Sequence, residues 1–384
     1  MTSELRDRAA KLLTVGFYGH HLGDDLKRLL DRGVAGVVLF ARNVDTPEQV
    51  AELIAEIKRY AGRPLLATLD QEGGLVARLR KGFTRLPPMR AVGSLGDEAL
   101  AQRVGALIGR ELRAVGVDVN FAPVLDIDTN PKNPIIGNRS LSREPDVVAR
   151  LGVALGRGIE AEGVAACGKH FPGHGDTAQD SHQELPRLQH SRARLEEVEL
   201  VPFRAWVLAK LASIMTAHVI FEPIDADYPA TMSRPVLHGI LREAMGYEGL
   251  IVTDDIEMKA IADHYGYDEA AIRGVLAGVD NFLCCHTADV AHQLIETVAG
   301  AVESGRVPLE RLVEANQRMA TFTERWAQPA RAPRLEVLAS DAHLALVEEI
   351  LTRVDPALVD LGEDPTEIME RIRVERMREK GLQP

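Results

Sequence analysis

The stretch VAGVVLFARNVDTPEQVAELIAEIKRYAGRPLLATLD (34–70) is the shortest from which the architecture can be read. Its two ends, VAGVVLF and PLLATLD, are apolar nearly throughout rather than at alternate positions. That is the pattern of parallel strands covered on both faces. Between them Thr46 offers a helix N-cap, apolar side chains recur at helical spacing from Pro47 onward, and Gly62 supplies the stop.

The same alternation runs outward in both directions. Strand-like runs stand at VGFYG (15–19), VDVNFAPVLDI (117–127), VAACGKHF (164–171), ASIMTAHVI (212–220), GLIVTDDI (249–256) and VDNFLCC (279–285), each followed by an amphipathic stretch. Together with the opening pair they make eight strand–helix units. A doubly wound sheet could be built from them, but eight regular units favour an α/β fold of the (β/α)8 type, a TIM-like barrel with extra C-terminal helices. The expected organisation is a catalytic barrel over 1–330 followed by 331–384 as a linker and a charged, helical tail. AQPARAPRLE (327–336), rich in Pro and Arg, is the linker signal. The tail is read as a packed or fraying surface helix, with an oligomer contact as the alternative.

Composition narrows the function classes. Lys and Arg number 45 against 57 Asp and Glu, a net charge of −12 with both signs spread along the chain. A nucleic acid or an anionic membrane would favour a basic stripe instead, so neither is expected as a partner. The first residues, MTSELRDRAAKLL, carry five charges and no apolar signal core, and no run of about 18 apolar residues is present. Cys167, Cys284 and Cys285 are odd in number and lack C-x-x-C spacing, so free core thiols in a reduced, cytoplasmic compartment are expected. A monomer or a weak homodimer is expected.

In such a barrel the chemistry sits at the C-terminal ends of the strands. The third strand ends at Asp70; the fourth carries Asn120, Asp126 and Asp128. The fifth ends in Lys169 and His170, the sixth in His218, and the seventh in Asp254 and Asp255. Two chemistries fit the run KHFPGHGDTAQDSH (169–182). His170, His174 and His182 with nearby aspartates could ligate zinc or iron, but Pro172 and Gly173 break the helix that would align the first two rings. Alternatively, Asp180 could hold and polarise His182 for proton transfer while Asp254 acts as a nucleophile, with no metal and no cofactor. Taken alone, a D-x-H on a loop is a weak signal and is more often an aspartate capping backbone amides beside an exposed histidine.

That run resembles the loop motif KHFPGHGDT…DSH of bacterial family 3 glycoside hydrolases, in particular the β-N-acetylglucosaminidases of peptidoglycan recycling. Four more segments agree in order: LDQEGGLVARLRKGFTRLPPM (69–89), NFAPVLDI (120–127) with GNRS (137–140), IMTAHV (214–219) with YPATMS (228–233) ahead of GLIVTDDIEMKAI (249–261), and AGVDNFLCC (277–285). The similarity spans roughly residues 10–325. It implies a TIM-like barrel acting on a small carbohydrate, GlcNAc-containing muropeptides. Asp254 is implied as the nucleophile of a covalent glycosyl-enzyme and His182, held by Asp180, as the general acid/base. Asp70, Arg78, Arg139, Lys169 and His170 are implied as ligands of the N-acetylglucosamine. By the same resemblance Asp255 is structural, and His174 and Asp176 shape the loop. An imidazole donor in place of the usual carboxylic acid makes phosphorolysis a conceivable side activity. The chain departs from the family pattern around Arg139, where it reads NRSLSREPD in place of an acidic residue and an aromatic flanking the arginine (ERSF-like), and that bears on how Arg139 is held.

Overall fold

A computed structural model describes residues 3–178, 185–330 and 332–359. Eight parallel strands close into a barrel: β1 (Leu13–Gly16), β2 (Gly36–Leu39), β3 (Leu66–Leu69), β4 (Val119–Asn120), β5 (Ala165–Phe171), β6 (Ser213–Thr216), β7 (Leu250–Asp255) and β8 (Asn281–Cys284). Each pairs with its sequence neighbour, and β8 returns to β1 through Leu13↔Phe282 and Thr14↔Leu283. The barrel expected from eight strand–helix units is therefore the fold.

Helix α1 (Ser3–Ala10) precedes the barrel. Outside it lie α2 (Asp24–Asp31), α3 (Pro47–Ala61), α4 (Glu98–Ala114), α5 (Pro145–Ala161), α6 (Leu200–Leu208), α7 (Gly266–Ala277) and α8 (Ala288–Glu303). A π-helical segment, Pro235–Ala244, fills the place between β6 and β7. The signals in the opening stretch act as expected: Thr46 Oγ1 accepts from Gln49 N at 3.2 Å, and Gly62 ends α3 with φ 60°. α3 buries Val50, Leu53, Ile54 and Ile57 along one face, roughly 1.5–3 kcal/mol for each side chain removed from water.

Two elements differ from the sequence reading. The fourth strand is paired only over two residues, because Pro123 has no amide to donate. Beyond it the chain stays beside β5 through the Val124↔Lys169 bridge and Leu125 N donating to Lys169 O at 2.6 Å. The amphipathic stretch expected after the fifth strand is two helices, Arg192–Glu197 and Leu200–Leu208, with Val198 out of helical geometry at φ −126°. Pro202 cannot donate back to Val198 O, so continuity is lost at that residue.

The barrel's interior is filled by Val38, Leu66, Phe121, Cys167, Met215 and Leu283 among others. α9 (Leu309–Trp326) plugs its N-terminal end, sending Met319, Phe322 and Trp326 into the same cluster. Beside this plug the buried Asp118 accepts from Lys58 Nζ at 2.7 Å, Ala67 N at 2.8 Å and Gln328 N at 2.9 Å. Farther on, α10 (Asp341–Arg353) lies against α4, with Leu346 and Ile350 in the main core and Arg103 paired to Glu349 at 2.7 Å. The three cysteines are buried free thiols, and burial pushes Cys167 up to about 12. Among the described residues no helix is long and apolar enough to cross a membrane.

Candidate active site

The plug closes one end of the barrel, and the polar strand ends gather at the other. Asp70 follows β3 directly, and the chain continues extended as Gln71–Gly73, so Asp70 and Glu72 project to one side and Gln71 to the other. Gln71 fixes this stretch. Its amide donates to Asn120 Oδ1 at 2.9 Å, its carbonyl accepts from Asn120 Nδ2 at 3.0 Å, and its side chain bonds both backbone groups of Leu79. Asn120, read in the sequence as a rim group, is thus spent on holding the backbone.

Lys169, at the end of β5, reaches between the two acids, 2.7 Å from Asp70 Oδ1 and 2.6 Å from Glu72 Oε1. Arg78 closes on the other oxygen of Asp70 at 3.2 Å. Arg139 grips Glu72 with two parallel bonds of 2.9 and 2.8 Å. The result is a continuous chain, Arg78–Asp70–Lys169–Glu72–Arg139, with three cations and two anions. Burial alone would raise the two carboxyls. Lys169 and Arg78 outweigh it and hold Asp70 well below the usual carboxylate range, while Arg139 and Lys169 hold Glu72 at about 2. Lys169 and Arg139 are buried too, yet the carboxylates keep both above their ordinary values. Asp70, Glu72, Lys169 and Arg139 thus stay ionised at neutral pH, and the excess of cations over anions leaves N–H donors for a polar ligand.

A second cluster is built on Asp126. Its carboxylate accepts from the backbone amides of His170 and His174, at 3.1 and 2.6 Å, and lies 2.6 Å from His170 Nδ1. Burial opposes this charge, but His170 prevails and lowers the Asp126 pKa. His174 is driven the other way: burial holds it near 4, so it is neutral, with Nδ1 2.9 Å from Thr177 Oγ1. Asn133 ties the turn by donating to His174 O at 2.8 Å, and Thr129 donates to Asp176 at 3.0 Å. The loop-shaping part expected of His174 and Asp176 agrees with these bonds.

At the end of β7 the two adjacent acids have separate partners. Asp255 turns toward β8, accepting from Glu257 N and Cys285 N and standing 3.2 Å from His286 Nε2. Asp254 is less buried, and among the described residues its carboxylate accepts from the next amide, Asp255 N, at 2.8 Å. His218 is occupied at both nitrogens: Nδ1 is 2.8 Å from Thr231 Oγ1, and Nε2 donates to Asp255 O at 3.0 Å.

The structure therefore brings Asp70, Arg78, Arg139, Lys169 and His170 to one rim, on which Asp254 also stands. Asp180 and His182 lie outside the described residues. Among the described residues no group of three or more His, Cys, Asp or Glu is placed to hold a metal ion. Glu72 escaped the sequence reading. Its spacing of two from Asp70 on an extended segment was the available signal. Despite the altered sequence around it, Arg139 is held firmly, with Arg90 supporting the same turn through Ser140 O, Gly137 O and Asp128.

Residues 4–322 match the family model described as the glycosyl hydrolase family 3 N terminal domain. The chain belongs to this family. It is a glycoside hydrolase, and the family 3 barrel accounts for nearly all of its described length. A beta-hexosaminidase of Thiobacillus denitrificans is 39% identical over 359 residues, covering 91% of this chain and 95% of the relative. One from Neisseria meningitidis is 42% identical over 280 residues, 71% of this chain and 77% of the relative. Among solved structures, a family 3 beta-N-acetylglucosaminidase from a Paenibacillus species superposes with TM-score 0.86 at 40% identity, covering 91% of this chain and 68% of that one. NagZ from Neisseria gonorrhoeae, solved with N-trifluoroacetyl-D-glucosamine, gives TM-score 0.75 at 32% identity and covers 91% and 98%.

Proposed function

We propose that the protein is a retaining exo-β-N-acetylglucosaminidase that removes terminal β-linked GlcNAc from peptidoglycan fragments of the GlcNAc–anhydroMurNAc-peptide type. The observation that carries this reading is the five-membered ion chain through Lys169 at the rim on which Asp254 stands. A chain of alternating charges offers a pyranose both acceptors and donors at fixed positions. Asp70 accepts from ring hydroxyls, while Arg78, Arg139, Lys169 and His170 donate to hydroxyls and to the acetamide carbonyl. The relatives named beta-hexosaminidase and the sugar in the NagZ structure support the N-acetylhexosamine preference.

In this mechanism Asp254 attacks the anomeric carbon and the glycosidic bond breaks. His182, as imidazolium oriented by Asp180, delivers its proton to the departing oxygen. The neutral imidazole then takes a proton from water, which attacks the same carbon and releases Asp254. Among the described residues the Asp254 carboxylate accepts from one amide, which supports its assignment over Asp255, whose oxygens are engaged by backbone amides and His286.

The test is hydrolysis of an aryl β-GlcNAc by the wild type, Asp254→Ala and His182→Ala. Each substitution is expected to lower kcat/KM by at least about 10²-fold. Full activity in Asp254→Ala would overturn the mechanism, and faster cleavage of the aryl β-glucoside would overturn the specificity.

A further inference from the structure

The hairpin loop that carries Arg78 is rooted in the barrel at one side and in the C-terminal segment at the other. On the barrel side, Arg78 N donates to Asp70 O at 3.2 Å, and Gly74 N donates to Leu86 O at 3.1 Å. On the far side stands Glu111, a carboxylate on α4 that is 4% exposed. Its Oε2 accepts from Thr84 N at 3.0 Å, and its Oε1 accepts from Thr84 Oγ1 at 2.6 Å. Oε1 also accepts from Ala339 N at 2.8 Å and lies 2.9 Å from His343 Nδ1. Oε1 thus carries three of the four contacts and Oε2 one. Two come from the Arg78 loop and two from the segment after the barrel's last helix, more than two hundred residues later in the chain.

We propose that Glu111 and His343 are positioning residues for the sugar site. They clamp residues 74–86 so that Arg78 is held against Asp70, which gives the C-terminal segment a role in substrate binding. The inference rests on the proposed part of Asp70 and Arg78 in binding the sugar. Three features favour a positioning role over simple filling of the core. Thr84, Glu111 and His343 are all almost wholly buried, so the bonds are shielded from competing water. Thr84 is held by both backbone and side chain, which fixes the orientation of the loop as well as its place. Arg78 lies six residues from Thr84 within the same loop and makes its salt bridge with only one Asp70 oxygen, at 3.2 Å. A small shift of the loop would lengthen that contact.

Two readouts on the full-length protein separate this from a purely structural effect. The first is hydrogen–deuterium exchange of the peptide covering 74–86; the second is the inhibition constant of free GlcNAc alongside KM and kcat on the aryl β-GlcNAc. Glu111→Gln and His343→Ala are expected to speed exchange in 74–86 and to raise both KM and the GlcNAc inhibition constant about fivefold or more, with kcat changed less than about twofold. Leu346→Ala, which loosens the packing of α10 without touching Glu111, is expected to lower the Tm and leave both constants unaltered. If Glu111→Gln does not fold, Thr84→Val removes the hydroxyl bond from the loop side and is expected to give the same rise. Unchanged exchange, or an unchanged inhibition constant in any folded clamp variant, overturns the proposal. If GlcNAc does not inhibit the wild type at all, the sugar-site reading fails instead, and exchange in 74–86 alone decides on the clamp.

Discussion

At the residue scale, Glu72 is the group on which most of the site's charge balance turns. Among the described residues it is the one carboxylate paired to both Lys169 and Arg139. Replacing it by Gln leaves two buried cations with less compensation and frees both side chains to move. Glu72→Gln is expected to raise KM for the aryl β-GlcNAc on the order of 10-fold while the barrel stays folded, as read by steady-state kinetics and circular dichroism. Glu160 offers a pH test away from the site. It accepts from Ala212 N at 2.8 Å, and burial raises its carboxyl to about 7. A carboxyl raised in the folded state favours folding below its unfolded pKa, near 4.5, and that advantage is lost as pH rises toward 7. Glu160→Gln is therefore expected to be more stable than the wild type by on the order of 2–3 kcal/mol at pH 8, the difference fading by pH 5. Urea denaturation at the two pH values measures it.

At the element scale, the plug helix α9 stands apart from the outer helices because its side chains enter the barrel itself. Phe322→Ala opens a cavity among Met319, Trp326 and the inward strand residues, and is expected to cost about 3–5 kcal/mol, seen as a lower urea midpoint. The strands were legible in the sequence because burial on both faces leaves a nearly unbroken apolar run. Their polar last residues were legible for the same reason, since Asp70, Lys169 and Asp254 interrupt such runs. Pro123 carried the information that the fourth strand would lose its pairing early, but the apolar run through 127 outweighed it in the reading. Glu72 was illegible in another sense. Its bond to Arg139 joins positions 67 residues apart, and no local pattern encodes that distance.

At the scale of the whole molecule, closure of the barrel follows from eight repeats of one strand–helix unit, so the sequence pattern and the resemblance converge on it. The C-terminal segment has no such repeat to announce it. The pairing of Glu111 with His343 spans 232 positions, and the sequence presents each only as an isolated polar residue on a helix. Removing residues 331–384 is expected to leave a folded barrel with a lower Tm, because α4 loses the cover of Leu346 and Ile350. Thermal unfolding of the shortened chain, with far-ultraviolet circular dichroism as the check on folding, reads the outcome.

The plug has a consequence for traffic. With Met319, Phe322 and Trp326 stopping the lower end, the barrel is a cup and has no through passage. Whatever enters over the rim must leave over the same rim, so a released sugar obstructs the next arrival until it diffuses away. Progress curves should bend long before the substrate is exhausted, and dilution of the reaction should straighten them.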